Sequence, residues 1–80
     1  EKHVPVVEQY DQSIIATVGE VIHPMEDAHY IEWILVEQKD GYQIHYFQPG
    51  ELPKAEFTGS SFEAVYAYCN LHGLWKKELC

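Results

Sequence analysis

Histidine and cysteine residues in this chain are concentrated in three short clusters, which contain four of its five histidines and one of its two cysteines. Imidazole nitrogen and thiolate sulfur bind transition metals, so the clusters predict one mononuclear metal site. Four imidazoles with one thiolate do not match structural zinc, which favours four cysteines, three cysteines with one histidine, or two of each. Iron is the better candidate on this chemistry. The candidate ligands are His3, His23, His29, Cys69 and His72.

The clusters differ in how strongly each indicates a ligand by itself. Cys69 and His72 are three residues apart, which allows both to bind one ion from a single turn, and Gly73 gives backbone freedom directly after them. A buried structural cysteine beside an incidental histidine is the alternative. His23 and His29 enclose a proline, which predicts a rigid loop, although unrelated surface histidines fit this spacing too.

The other candidates have ordinary explanations when they are taken alone. His3 would be an exposed residue near a terminus, and His45 would be a strand residue outside any site. Cys80 is expected to be exposed and without a role. Trp33 and Trp75 are expected in the core, although aromatic rings near a metal loop would also exclude water from it.

The elements that must position these residues are short β-strands. Two β-branched runs around a polar turn predict a hairpin. Residues 30–37 alternate at period two, and the Asp-Gly pair at 40–41 predicts a tight turn into an antiparallel partner. Residues 62–68 also fit helical spacing, but their aromatic and β-branched content favours a strand. The predicted strands cover residues 4–8, 13–18, 30–37, 41–47, 53–57 and 62–68, and they indicate an all-β sandwich of six or seven strands.

Length, charge and cysteine content restrict the class of protein. Eighty residues make one small domain, over residues 1–80, that a bound metal would stabilise. Thirteen acidic residues against five lysines and no arginine give a charge of −8, which argues against nucleic acid and anionic membranes as partners. The apolar runs are far shorter than the roughly twenty residues of a membrane-spanning helix. Two cysteines do not form a disulfide framework, so a soluble protein of the reducing cytoplasm is expected.

The chain begins with Glu1 rather than methionine, and a candidate ligand follows two positions later. Chain termini are poorly ordered unless they are tied down. We therefore expect the sequence to be a fragment of a longer chain.

Taken together, the clusters resemble the iron domain of superoxide reductases, the family that includes desulfoferrodoxin and neelaredoxin. The resemblance covers nearly the whole chain, and three ligand-bearing motifs occur in the same order and spacing. The matching segments are EKHVPV at 1–6, HPME at 23–26, HYIEWI at 29–34, QPG at 48–50 with AEF at 55–57, and YCNLHGLW at 68–75.

The resemblance implies an immunoglobulin-like β-sandwich of about seven short strands that holds one iron ion. It implies the four clustered histidines in a plane around the iron, with the Cys69 thiolate on the axis and the opposite position open in the ferrous state. By similarity, His72 binds through Nδ1 and the other three histidines through Nε2.

The resemblance also implies an activity and partners. The implied reaction is the one-electron reduction of superoxide to hydrogen peroxide, with a rubredoxin-type electron donor and a homo-oligomer, either a dimer or a tetramer. Glu1 resembles the carboxylate that occupies the sixth iron position after oxidation. Lys2 resembles the lysine that attracts superoxide and positions a proton-delivering water.

Two other functions remain compatible with the same residues. One is an iron-binding electron-transfer domain that does not turn over superoxide. The other is an immunoglobulin-like interaction module with a structural zinc. Metal content, colour and reaction with superoxide distinguish the three.

Overall fold

The computed structural model of the chain describes residues 3–19 and 23–79. These residues form seven β-strands, and no segment among them forms an apolar helix of the length that a membrane crossing needs. The strands are β1 (Pro5–Gln9), β2 (Ser13–Val18), β3 (Ile31–Gln38), β4 (Gly41–Tyr46), β5 (Lys54–Thr58), β6 (Phe62–Cys69) and β7 (Gly73–Glu78). All six predicted strands are confirmed, including the ambiguous sixth, whereas β7 was not predicted.

The strands form two antiparallel sheets. One has the order β1-β2-β5 and the other the order β4-β3-β6-β7. The hairpin of β1 with β2 and that of β3 with β4 are both present, as predicted. The buried core draws on both sheets, which confirms the predicted all-β, immunoglobulin-like sandwich. The largest fully buried apolar side chains include Ile14, Val18, Ile31, Ile34, Val36 and Val65.

The alternation of inward-facing and outward-facing side chains along β3 is interrupted near the start of the strand, close to His29. Ile31 pairs with Cys69 and Trp33 pairs with Tyr68, so Glu32 is an extra residue in the ladder. Such a bulge shifts which side chains face the core. As a result, Ile31 stays buried beside Cys69, whereas Trp33 is only half-buried. The fully buried side chains of β3 are Ile31, Ile34 and Val36.

Candidate metal centre

The loop that contains His23 and His29 is fixed at both of its ends. The His23 backbone N–H donates to the Val18 carbonyl at the end of β2 (3.3 Å). Glu26 and His29 exchange two backbone hydrogen bonds of 2.9 and 3.0 Å, which close the loop before β3 begins. Both histidines are therefore held by ordered backbone.

Cys69 and His72 lie on a tight turn between β6 and β7. Cys69 pairs with Gly73 as the last rung of that ladder, and residues 70–72 make the turn. Gly73 has a φ of 83°, a left-handed conformation that glycine adopts without a steric cost. The backbone freedom expected of Gly73 is therefore used in this turn.

Asn70 joins the two ligand-bearing segments, a role that the sequence analysis missed. Its Oδ1 accepts from the Tyr30 backbone N–H (2.9 Å), and its Nδ2 donates to the Ala28 carbonyl (3.1 Å). The Asn70 backbone N–H also donates to the Tyr30 carbonyl (3.2 Å). These bonds flank His29, so they fix His29 relative to Cys69. In the sequence, the only indication of these hydrogen bonds is an asparagine directly after the cysteine.

The imidazole rings of four candidate ligands lie at the corners of an approximate square, which we call the histidine square. Adjacent ring centroids are 4.6 Å apart for His3 and His23, 4.7 Å for His23 and His29, 5.1 Å for His29 and His72, and 4.6 Å for His72 and His3. The diagonal from His3 to His29 is 6.3 Å. These lengths make the corners at His23 and His72 close to right angles.

Cys69 lies against one corner of the histidine square. Its Sγ is 3.6 Å from Nε2 of His23, and both side chains are buried. Nδ1 of His23 lies 2.7 Å from the Pro24 carbonyl, which can only accept. Nδ1 therefore carries the proton, and Nε2 presents its lone pair beside the thiol. The ligand atoms of His3, His23, His29 and Cys69 all lie within 4.8 Å of one another. His72 is not one of this group, although its ring is 4.6 Å from that of His3 and 5.1 Å from that of His29.

Two further ring nitrogens point to a missing partner. Nε2 of His3 and Nε2 of His29 are buried without a hydrogen-bond partner among the described residues. Burial, followed by the charges of His23, His72 and His29, lowers the pKa of His3 from its ordinary value of 6.5. His3 is therefore neutral at pH 7, which is the form that binds metal.

The centre is closed on one side and open on another. Cys69 and His23 have relative exposures of 0% and 2%, whereas His72 is exposed on the turn. Among the described residues, the His72 side of the centre is therefore the one in contact with solvent. The thiol is screened from solvent by the core.

The two tryptophans expected in the core are both half-buried. Trp75 stacks on His3, with ring centroids 5.0 Å apart and an angle of 17° between the rings. Trp33 stacks on Tyr68 on the outer face of the four-stranded sheet, at 5.7 Å and 12°. Only Trp75 belongs to the candidate centre.

His45 is not part of the described centre. His45 is an exposed residue of β4 whose ring lies 4.7 Å from that of Phe47, so the prediction of an ordinary strand histidine is confirmed. Glu1, Lys2 and Cys80 lie outside the described residues.

Comparison with known proteins identifies relatives over almost the whole chain. The desulfoferrodoxin family model matches residues 1–78. A desulfoferrodoxin homolog of Archaeoglobus fulgidus is 49% identical over 77 residues, which is 95% of this chain and 62% of that protein. The desulfoferrodoxin of Nitratidesulfovibrio vulgaris is 49% identical over 80 residues, covering 98% of this chain and 63% of that protein. The chain thus spans less than two thirds of these relatives.

Solved structures with the same fold are named for an activity, whereas the relatives above carry only the family name. The superoxide reductase from Treponema pallidum superposes with a TM-score of 0.90 at 34% identity, covering 98% of this chain and 65% of that one. The superoxide reductase from Giardia intestinalis gives a TM-score of 0.81 at 33% identity and covers 99% of both chains.

Proposed function

Because the chain belongs to the desulfoferrodoxin family, we propose that it is a superoxide reductase domain that reduces superoxide to hydrogen peroxide at one iron ion. The observation that carries the proposal is the histidine square with the buried Cys69 sulfur 3.6 Å from one of its nitrogens. The proposed ligands are His3, His23, His29, His72 and Cys69.

The donor atoms fit a metal of this kind. Buried polar atoms are nearly always paired, so the two unpartnered Nε2 atoms of His3 and His29 call for a ligand between them. Nε2 of His23 faces the same group of atoms, held in that tautomer by the Pro24 carbonyl. Imidazoles with one thiolate suit iron better than magnesium or calcium, which prefer oxygen. These contacts support Nε2 as the ligand atom of all three histidines.

Iron bound there would supply a one-electron reductant. The reaction consumes one electron and two protons for each superoxide and releases one hydrogen peroxide. With a ferrous ion bound, neutral imidazoles and a single thiolate would leave a net positive charge, which would attract an anion although the chain is acidic. The exposed side at His72 gives the anion access, and burial of Cys69 keeps its sulfur away from solvent oxidants.

We assign Lys2 and Glu1 to the handling of superoxide and of the product. The Lys2 ammonium would attract superoxide and hold a proton-donating water, and the Glu1 carboxylate would bind the oxidised centre. Their position directly before His3 supports this assignment, since His3 is a corner of the histidine square. Lys2→Ala should slow the reaction with superoxide while iron stays bound.

Rapid mixing of the reduced, iron-loaded protein with superoxide tests the proposed function. Near-diffusion-limited oxidation with one hydrogen peroxide per superoxide and no oxygen release supports it. A protein that binds iron and exchanges electrons but ignores superoxide is an electron-transfer domain instead. A colourless protein that contains only zinc would make it a structural module, because thiolate-to-ferric charge transfer should colour the oxidised iron form.

The electron donor that we propose is a small rubredoxin-type protein. Lys2, Lys76 and Lys77 are the lysines closest in sequence to the proposed ligands. Lys76, however, forms a 2.6 Å ion pair with Glu78. With that charge already paired, long-range attraction contributes little to docking, and we expect a transient complex with weak salt dependence.

We further propose that the protein forms a homodimer through the outer face of the four-stranded sheet. Residues that are paired across antiparallel strands point to the same face. One such row contains Tyr46, Trp33, Tyr68 and Leu74, and the next contains Ile44, Leu35, Tyr66 and Lys76. Within the described residues nothing covers these rows, and Tyr46 and Leu74 are 67% and 57% exposed. An uncovered sheet face with this many aromatic and aliphatic side chains is typical of a protein–protein interface.

The charge on this outer face favours a second copy as its occupant. The face contains Glu37, Lys76 and Glu78, of which the last two form the ion pair, so it has about one unpaired charge although the chain carries −8. Two acidic copies therefore repel each other least when these faces meet. A third row contains Tyr42, Glu37, Ala64 and Glu78. Four strands and three rows cover on the order of 400 Å². Two faces would bury on the order of 800 Å², which lies at the small end of protein interfaces and suits a weak dimer.

We also expect the protein to act in a reducing cytoplasm as part of a longer chain. Cys69 is a buried free thiol, in agreement with such a compartment.

A further inference from the structure

One side of the histidine square is braced by an indole ring on β7. The Trp75 ring stacks on His3, and the Trp75 Nε1–H donates to the backbone carbonyl of His72 (3.1 Å). We propose that Trp75 is a positioning residue of the metal centre, which holds the His3 imidazole in its ligating orientation before metal binds. The proposal rests on the proposed metal centre and goes beyond it.

His3 needs such support more than the other corners do. His23 and His29 lie on a loop closed by two backbone hydrogen bonds, and His72 lies on a turn closed by strand pairing. His3 precedes β1, and the nearest backbone hydrogen bond among the described residues is the one that Val4 accepts from Gly19 (3.3 Å). Without a side-chain contact, the His3 ring would be the least constrained of the four.

The geometry of the stack suits this role. Rotation of an imidazole about its second side-chain torsion is only weakly restricted by intrinsic preference, so packing must set the ring plane. The indole lies nearly parallel to His3, whereas the adjacent rings of His23 and His72 are inclined to it by 64° and 59°. A contact on the face of the ring fixes its plane and leaves Nε2 at its edge free for metal. That nitrogen is the buried, unpartnered one.

Trp75 is itself well placed to act as a brace. It lies opposite Ala67 on the β6–β7 ladder, and the small buried Ala67 side chain leaves room beside it. The hydrogen bond to His72 ties the indole to the adjacent corner. Trp75 therefore connects two ligands that are 69 residues apart in sequence.

The test compares the Zn²⁺ affinity of metal-free variants. Trp75→Leu should bind Zn²⁺ about 10-fold more weakly than the unchanged protein, in the range typical of residues that orient metal ligands. Trp75→Phe, which keeps an aromatic face but has no N–H, should recover most of that loss. The matched control is Trp33→Leu, which removes a stacked tryptophan from the other face of the sheet. It should leave the Zn²⁺ affinity unchanged.

A spectroscopic measurement separates positioning from general destabilisation. With Co²⁺ as the probe, the visible spectrum of Trp75→Leu should shift toward that of His3→Ala, because the His3 imidazole is no longer held in its ligating orientation. Trp75→Leu with the unaltered spectrum and affinity, or Trp33→Leu with an equal loss, would overturn the proposal.

If Trp75→Leu does not fold, Trp33→Phe leaves Trp75 as the reporter. Its fluorescence should change on Zn²⁺ binding, and an additional His3→Ala should abolish that change; persistence of the full change would refute the proposal. None of these measurements involves superoxide, so their failure is distinct from failure of the proposed reductase activity.

Discussion

Removal of the Asn70 side chain should weaken metal binding without touching any ligand. Asn70→Ala eliminates the hydrogen bond from the Tyr30 N–H (2.9 Å) and the one to the Ala28 carbonyl (3.1 Å). The backbone bond between Asn70 and Tyr30 (3.2 Å) remains, so the turn should keep its overall path. The variant therefore loses only the two side-chain hydrogen bonds to the residues on either side of His29.

The size of the effect follows from the two bonds. The partly buried bond to Tyr30 should contribute about 1 kcal/mol and the exposed one to Ala28 about 0.5 kcal/mol. A loss of about 1.5 kcal/mol in the free energy of unfolding lowers the melting temperature of a domain of this size by about 8 °C. Because His29 then moves more freely relative to Cys69, Zn²⁺ affinity should fall by about 10-fold.

Gln43→Ala is the matched control for that experiment. Nε2 of Gln43 also makes two hydrogen bonds, to Gln38 Oε1 (3.0 Å) and to the Thr58 carbonyl (2.8 Å), farther along the sandwich from Cys69. Its loss should lower thermal stability by a similar amount and leave the Zn²⁺ affinity unchanged. Thermal melts of the metal-free proteins and Zn²⁺ titrations measure both quantities. If both variants lose Zn²⁺ affinity equally, or if Asn70→Ala loses none, Asn70 does not position His29 for metal binding.

Three further outcomes are expected. Cys69→Ser should abolish the charge-transfer colour of the oxidised iron protein, as seen in its visible spectrum; a retained band would remove Cys69 from the ligand set. Zn²⁺ at about 100 times its dissociation constant should stabilise the metal-free protein by about 2.7 kcal/mol and raise the melting temperature in calorimetry; an unchanged melt would argue against a native-state site. Tyr46→Lys should convert the proposed dimer to a monomer in sedimentation analysis, whereas Tyr10→Lys, at a 58% exposed position outside both sheets, should not.

Much of the fold could be predicted because local patterns agree with the final packing. Alternation marked β3, and the Asp40-Gly41 pair marked the turn into β4. The unpredicted β7 has a different pattern, since it is an edge strand whose side chains are mostly exposed. The apolar alternation that reveals a half-buried strand is therefore weak in Gly73–Glu78. The bulge at Glu32 could not be predicted either, because it depends on the register between β3 and β6.

The candidate centre shows the same division between local and long-range information. Ligand types and their clustering were visible in the sequence, and the structure brings His3, His23, His29 and Cys69 within 4.8 Å of one another. The contacts that orient them were not visible. Asn70 reaches a residue 40 positions earlier in the chain, and the Trp75 ring meets His3 across the gap between the two sheets. Such contacts follow from topology, and a single sequence does not encode them in any local pattern.

A metal ion bound at the proposed centre would have a second role, as a link between the sheets. His3 precedes β1 of the three-stranded sheet, and Cys69 ends β6 of the four-stranded sheet. His23 and His29 lie on the loop that passes from one sheet to the other. A small domain buries little surface, so its sheets separate at a modest cost in free energy. One ion bound by ligands from both sheets adds its binding free energy to their packing. The centre should therefore hold the sandwich closed at this end, and removal of metal should loosen the contact between β1 and β6 first.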